Sequence, residues 1–275
     1  MTSRKTIVIT GAGRGIGQAT AEILAARGHR LALADIDLNE VEAAAGKIGA
    51  DAWQLDVSDR EAFRTFLSEV EEKAGPVDVI INNAGICSAT PDALAQDPVL
   101  MDRTIDVNLK GVMYGTLEAL ALMLPRRSGQ VINIASLAGL MGVPGLASYS
   151  ASKHGVIGFT ESVRIEYTGS GVNFTVVMPG PVATEMMDGT SNSPFVTMLK
   201  PEEMALAIAD SVESKKERIS LPRSSWALTR MTSLLPAWLS IRVNRLTRVD
   251  RIYTDVNPAV RSSYEERIRL GHQDD

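Results

Sequence analysis

Short runs of β-branched and other apolar residues alternate along the chain with longer stretches of helical periodicity. Seven runs read as strands, over residues 6–10, 31–36, 52–55, 77–82, 130–135, 172–178 and 218–221. Between them, residues such as 15–27, 59–74, 98–124 and 148–167 repeat apolar positions at helical spacing. Strand and helix taking turns in this way predicts an α/β fold, a doubly wound parallel sheet of about seven strands with helices on both faces. No internal repeat or low-complexity linker interrupts the pattern. After Leu221 the composition shifts: residues 223–249 hold five arginines and two of the three tryptophans, with no acidic residue and no lysine. The division this suggests is a main unit over 1–222 and a helical, basic and amphipathic extension of the same domain over 223–275.

Composition narrows the function. At 275 residues, 45% hydrophobic and 22% charged, the chain is long enough to bury a sizeable core and too apolar for intrinsic disorder. A net charge of −5 argues against bulk nucleic-acid binding. The single cysteine, Cys87, excludes an internal disulfide, and a reducing compartment, the cytoplasm, is expected. His29, His154 and His272 are scattered, so no metal site is expected.

The first strand runs into Gly11-Ala12-Gly13-Arg14-Gly15-Ile16-Gly17 and then into a helix. Glycines there let backbone approach a pyrophosphate, and the helix N-terminus offers N–H donors and positive potential. The spacing is T-G-x-x-x-G-x-G rather than G-x-G-x-x-G, and alone it would equally suit a tight strand-to-helix turn. Asp35 closes the second strand 18 residues after Gly17, where a carboxylate can accept from adenosine ribose hydroxyls and repel a 2′-phosphate. NAD(H) is therefore expected over NADP(H), and Arg14 is the residue that could favour the phosphorylated form. Together these features make the expected sheet Rossmann-type.

Tyr149 and Lys153 stand four apart on a predicted helix, so they share one face. A free phenol, with a pKa of about 10, is a poor base at neutral pH, and an adjacent ammonium is expected to lower it. Asn82-Asn83-Ala84-Gly85, Ser136 and Pro179-Gly180 fall at carboxyl ends of strands, the edge where open α/β sheets bind ligands, with Asn108 in a following helix.

In this combination of motifs the sequence resembles the short-chain dehydrogenase/reductase family, in its shorter single-domain branch, over roughly residues 5–221. The resemblance implies a catalytic set of Asn108, Ser136, Tyr149 and Lys153. It places Gly11, Arg14, Gly15, Ile16, Gly17, Asp35, Ala84 and Gly85 at the cofactor, with Asp56, Val57 and Asn83 around its adenosine half. Tyr149, Lys153, Pro179 and Gly180 are also expected at the cofactor, with Thr184 near the nicotinamide amide. The implied reaction is hydride transfer between NAD(H) and a secondary alcohol or ketone, with Tyr149 moving the proton and Ser136 holding the substrate oxygen. Lys153 would bind ribose and tune the phenol, and Asn108 would support a water path. A nicotinamide-sensing binding protein and an epimerase or dehydratase on the same fold are the competing readings. The complete set of four favours an active dehydrogenase.

Met186, Met187, Phe195, Met198 and Leu199 follow Pro179-Gly180 and suit a hydrophobic substrate, or simple packing on a neighbouring helix. Cys87 reads as an inert buried thiol near the pocket. In the tail, apolar positions from Trp226 to Leu235 and from Trp238 to Val249 suggest two short helices broken at Pro236. Three roles remain open for them: a lid, a contact in a homodimer or homotetramer, or a peripheral membrane anchor.

Overall fold

The computed structural model describes residues 4–191, 193, 196–246 and 248–270. Seven strands form one parallel sheet: β1 Thr6–Thr10, β2 Arg30–Asp35, β3 Asp51–Gln54, β4 Val79–Asn82, β5 Gly129–Ile134, β6 Val172–Pro179 and β7 Arg218–Leu221. Their spatial order is β3-β2-β1-β4-β5-β6-β7, so the winding reverses between β1 and β4 and a crevice opens there. Strand ends differ from the sequence reading by a residue or two, which is the usual blur where side-chain periodicity fades.

Alternation along the strands sorts the helices into two layers. Ile7 and Ile9 face α1 (Gly15–Ala26), α2 (Leu38–Ile48) and α7 (Pro201–Ser214), where Leu24, Val41 and Ile208 are fully buried. Val8 and Ile80 face the opposite layer, built by α3 (Arg60–Ala74), α5 (Val112–Met123) and α6 (Ala147–Glu166) around Phe63, Met123 and Val163. Burial on both faces explains why these strands read as unbroken apolar runs. Carboxylates start several helices: Asp37 accepts from Glu40 N at α2, Asp59 from Glu61 N and Ala62 N at α3, and Asp97 from Val99 N at α4 (Pro98–Ile105).

Residues 98–124, read from sequence as one helix, are three pieces: α4, a π-helical turn over Asp106–Gly111, and α5. The tail contains the two expected helices, α8 (Arg223–Ser233) and α9 (Ala237–Leu246), and a third that the sequence reading did not anticipate, α10 (Pro258–Leu270).

Candidate active site

The carboxyl ends of the strands open on a cavity of about 1350 Å³. Gly11, Arg14, Gly15 and Ile16 form one wall. The turn is shaped for an anion. Gly11 and Gly15 hold φ of +62° and +58°, a Cβ on Gly11 would lie 2.7 Å from Ala84 Cα, and no side chain caps the start of α1. The first N–H groups of that helix therefore face the cavity with the positive end of its dipole, as a dinucleotide pyrophosphate requires. Gly17 lies behind the turn, away from the cavity. A Cβ there would come within 2.2 Å of the Gly11 carbonyl oxygen, so this glycine lets α1 pack against the turn. Asn83 is spent on the same turn, its Nδ2 donating to the Thr10 and Gly11 carbonyls at 3.0 Å each. Its amide fastens β4 to the glycine loop, and Asn83 itself lines the cavity with Ala84 and Gly85 beside it.

Asp35 ends β2 at the cavity, its Oδ2 accepting from Gly13 N at 2.9 Å and its Oδ1 from Asp37 N at 3.2 Å. Arg14 is already committed to carboxylates: Nη1 donates to Glu185 Oε2 at 3.0 Å, and Nη2 lies 3.6 Å from Asp37 Oδ2. Asp56 and Val57 line the same end. Burial would raise the Asp56 pKa, but hydrogen bonds from Ser58 and Arg103 outweigh it and hold the carboxyl below its ordinary value. The partner, Arg103 on α4, is 7% exposed, donates to Asp56 Oδ2 at 2.6 Å, and was invisible in the sequence.

Ser136, Tyr149 and Lys153 meet at the centre of the cavity. Ser136 caps a single turn after β5, accepts from Ala138 N at 3.1 Å and donates to the Pro179 carbonyl at 3.4 Å, with the Tyr149 phenol beside it. One turn along α6, Lys153 is 3% exposed, donates from Nζ to the Ile134 carbonyl at 2.9 Å, and lies 5.7 Å from the centre of the Tyr149 ring. Burial lowers the Lys153 pKa from 10.5 to about 8. The sequence expectation that this ammonium pulls the phenol down is not met. Burial pushes the Tyr149 pKa above its ordinary value, with only the Ser136 hydrogen bond acting downward. Asn108 sits behind the cavity wall, fully buried in the π-helical turn. Its Oδ1 accepts from Ile86 N and its Nδ2 donates to Ile86 O, both at 2.8 Å, and Ser152 Oγ is 3.3 Å away. A Cβ on Gly85 would lie 3.3 Å from Asn108 Oδ1 and 3.4 Å from Lys153 Nζ, so the Gly85 backbone is wedged between these two groups.

Beyond Tyr149 the cavity is lined by apolar residues and by the tail. Pro179, Gly180 and Thr184 lead to Met186 and Met187, which line it, while Leu199 is buried and Met198 is exposed. Phe195 lies outside the described residues. Cys87 is 2% exposed, and burial pushes its thiol up to about 12, so it stays protonated and inert. Tyr264 of α10 accepts from Cys87 N at 3.2 Å, and Tyr253, in the turn before α10, meets Met187 Sδ at 3.5 Å; both phenols line the cavity. Arg261, also on α10 and 2% exposed, donates to the carbonyls of Cys87 (2.8 Å), Asp188 (3.1 Å) and Met186 (3.3 Å). Arg267 adds a bond to Glu185 at 2.8 Å, and Arg269 one to Asp97. The tail is thus stitched over the segment that walls the far end of the cavity.

Residues 5–194 match the family model described as short chain dehydrogenase. A 3-oxoacyl-(acyl-carrier-protein) reductase from Synechocystis sp. is 39% identical over 214 residues, which cover 72% of this chain and 85% of that protein. Levodione reductase from Leifsonia aquatica is 32% identical over 216 residues, covering 76% and 79%. A crystal structure of levodione reductase superposes with a TM-score of 0.74 at 26% identity, over 82% of this chain and 99% of that one. With the glycine turn, the parallel sheet and the matched residues agreeing, the chain is an oxidoreductase of the short-chain dehydrogenase/reductase family.

Proposed function

We propose that the protein reduces an apolar ketone to its secondary alcohol with NADH, and catalyses the reverse oxidation with NAD. The observation that carries this reading is the meeting of Ser136, Tyr149 and Lys153 in one cavity that also contains the glycine turn. The bound nicotinamide supplies or accepts the hydride. Tyr149 gives the proton to the substrate oxygen, and Ser136 hydrogen-bonds that oxygen as charge gathers on it. Burial keeps the Tyr149 phenol in its protonated form, the form that gives a proton to the substrate oxygen in the reductive step. Lys153 lies next to Tyr149 to hold ribose hydroxyls, and Asn108 fixes the Ile86 backbone beneath the site. The complete set favours this reading over that of a nucleotide-sensing protein.

NAD(H) is preferred over NADP(H) because Asp35, Asp37 and Glu185 gather at the adenosine end and the Arg14 guanidinium is held by two of them. A 2′-phosphate would meet carboxylates there, not a free cation. Residues 1–222 carry the cofactor and the chemistry, and the extension from 223 closes the substrate end. Met186, Met187 and Ile268 give that end an apolar lining suited to a hydrophobic ketone, with Tyr253 and Tyr264 as its polar points. Exposed Leu117 on α5 and Ile165 on α6 support a homodimer or homotetramer, and the single cysteine supports a cytoplasmic setting.

The test is the absorbance of reduced nicotinamide, followed with NADH and NADPH against a panel of apolar ketones. Turnover with NADH is expected, and Tyr149→Phe should bind NADH yet lose about 10²- to 10⁴-fold in kcat. Near-normal turnover in that variant would remove the proposed role of Tyr149, and a preference for NADPH would remove the cofactor assignment.

A further inference from the structure

We propose that α8 and α9 form a docking surface for an anionic lipid bilayer and lie flat on it as the roof of the substrate cavity. The two helices are built inside out. On α8, Ser225 and Thr229 look into the cavity while Trp226 and Met231 face outward, and on α9 Val243 looks in while Trp238 and Ile241 face outward. Leu234, in the turn between them, is 86% exposed, Leu246 80%, Met231 68% and Trp238 60%. Large apolar side chains gathered at this density on an outer face call for an apolar phase to cover them.

Charge selects the occupant. Residues 223–249 contain no acidic residue, and among the described residues Arg223, Arg242, Arg245 and Arg248 have no carboxylate partner. Arg242 lies instead over the Trp238 ring at 5.6 Å. On α10, by contrast, Arg261, Arg267 and Arg269 are all paired with acids. A second copy of this face would bring arginine against arginine across a twofold axis, and an acidic protein would pair the arginines but leave Leu234 and Leu246 in water. An anionic bilayer satisfies both halves: phosphates take the arginines, the acyl boundary takes the leucines, and the tryptophans sit between. Among the described residues no helix is long and apolar enough to cross a membrane, so the contact is with its surface. The inner faces of the same helices line the cavity, and an apolar molecule dissolved in the lipid would meet the protein at the substrate end.

The experiment uses the full-length protein with vesicles of phosphatidylcholine alone and of an equal mixture with phosphatidylglycerol, read by co-sedimentation and tryptophan emission. The expected result is binding to the mixed vesicles only, with a blue-shifted emission that high salt reverses. Leu234→Glu with Ile241→Glu should abolish it, and Arg242→Ala or Arg245→Ala should each weaken it roughly fivefold. Turnover of a short, water-soluble ketone without vesicles should stay at the wild-type level in every variant, because none of these side chains lines the cavity. Absence of binding to mixed vesicles, or binding indifferent to the substitutions, would overturn the proposal. So would self-association that Leu234→Glu abolishes while vesicles have no effect, since a second copy would then be the occupant.

Discussion

Replacing Arg261 by methionine isolates the link between the tail and the active site. The side chain is 2% exposed, holds three carbonyls at 2.8–3.3 Å and lies 3.4 Å from Glu265 Oε1. Methionine fills much of the volume but donates nothing, so three carbonyls and a half-buried carboxylate lose their shared donor. Removing one partner from a buried charged network costs about 3–5 kcal/mol. Because the bonds join α10 to residues 186–188 and to Cys87, that energy should appear as local opening of these segments rather than as loss of the sheet. At about 1.4 kcal/mol per decade, hydrogen exchange in 185–191 and 258–270 should accelerate by roughly two to four orders of magnitude, while β1, β4 and β5 stay protected. The substrate KM should rise more than the NADH dissociation constant, since Arg261 holds the substrate end directly and reaches the glycine turn only through Glu185, which joins Arg267 to Arg14. Arg261→Lys keeps the charge but loses the planar fork and should fall between the two. Exchange rates unchanged in both segments would refute the claim that this arginine secures the tail.

Asp35→Asn keeps an acceptor for Gly13 N but removes the charge. Relative kcat/KM for NADPH over NADH should rise by one to three decades, the equivalent of about 1–4 kcal/mol of charge repulsion, and an unchanged ratio would place discrimination elsewhere. Lys153, with its folded pKa lowered from 10.5 to about 8, binds fewer protons folded than unfolded between those values. Wild-type stability should therefore rise with pH across pH 8 to 10.5 relative to Lys153→Met, by about 3 kcal/mol; parallel denaturation curves at pH 7.5 and pH 10 would show no such effect. Tyr264→Phe removes the acceptor for Cys87 N and leaves that buried N–H unpaired. The substrate KM should rise about tenfold with NADH affinity unchanged, as one lost buried hydrogen bond implies, and steady-state kinetics showing no change in KM would exclude Tyr264 from the pocket wall.

How much of this was legible in the sequence depends on whether the signal was local. The strands announced themselves because residues such as Ile7, Val8 and Ile9 are all buried, one set against each helix layer. Tyr149 and Lys153 were found by their spacing, and Asp35 by its distance from the glycine turn. The π-helical turn under Asn108 was not found, because one extra residue per turn barely disturbs helical periodicity over 98–124. The pKa of Tyr149 was misjudged for a different reason: spacing reports that Lys153 is near, whereas burial, a property of the whole fold, decides the direction.

Arg103, Tyr264 and Arg261 were missed because their partners are remote: Arg103 meets Asp56 from 47 positions away, Tyr264 meets Cys87 from 177 and Arg261 meets it from 174. A lone arginine on a helix reads as a solvated surface residue until topology brings a carbonyl to it. The groups proposed to bind the cofactor and move the proton therefore lie in short-range motifs at the sheet edge, which a sequence displays openly. The far wall of the cavity, to which the proposed function assigns recognition, is completed by a distant tail joined to that edge by a handful of buried polar bonds. On the proposed function, changes in the tail should alter which substrate fits without touching Ser136, Tyr149 or Lys153. This separation explains why the family and chemistry could be read from motifs at the edge of the sheet, while substrate identity depends on contacts formed only in the folded chain.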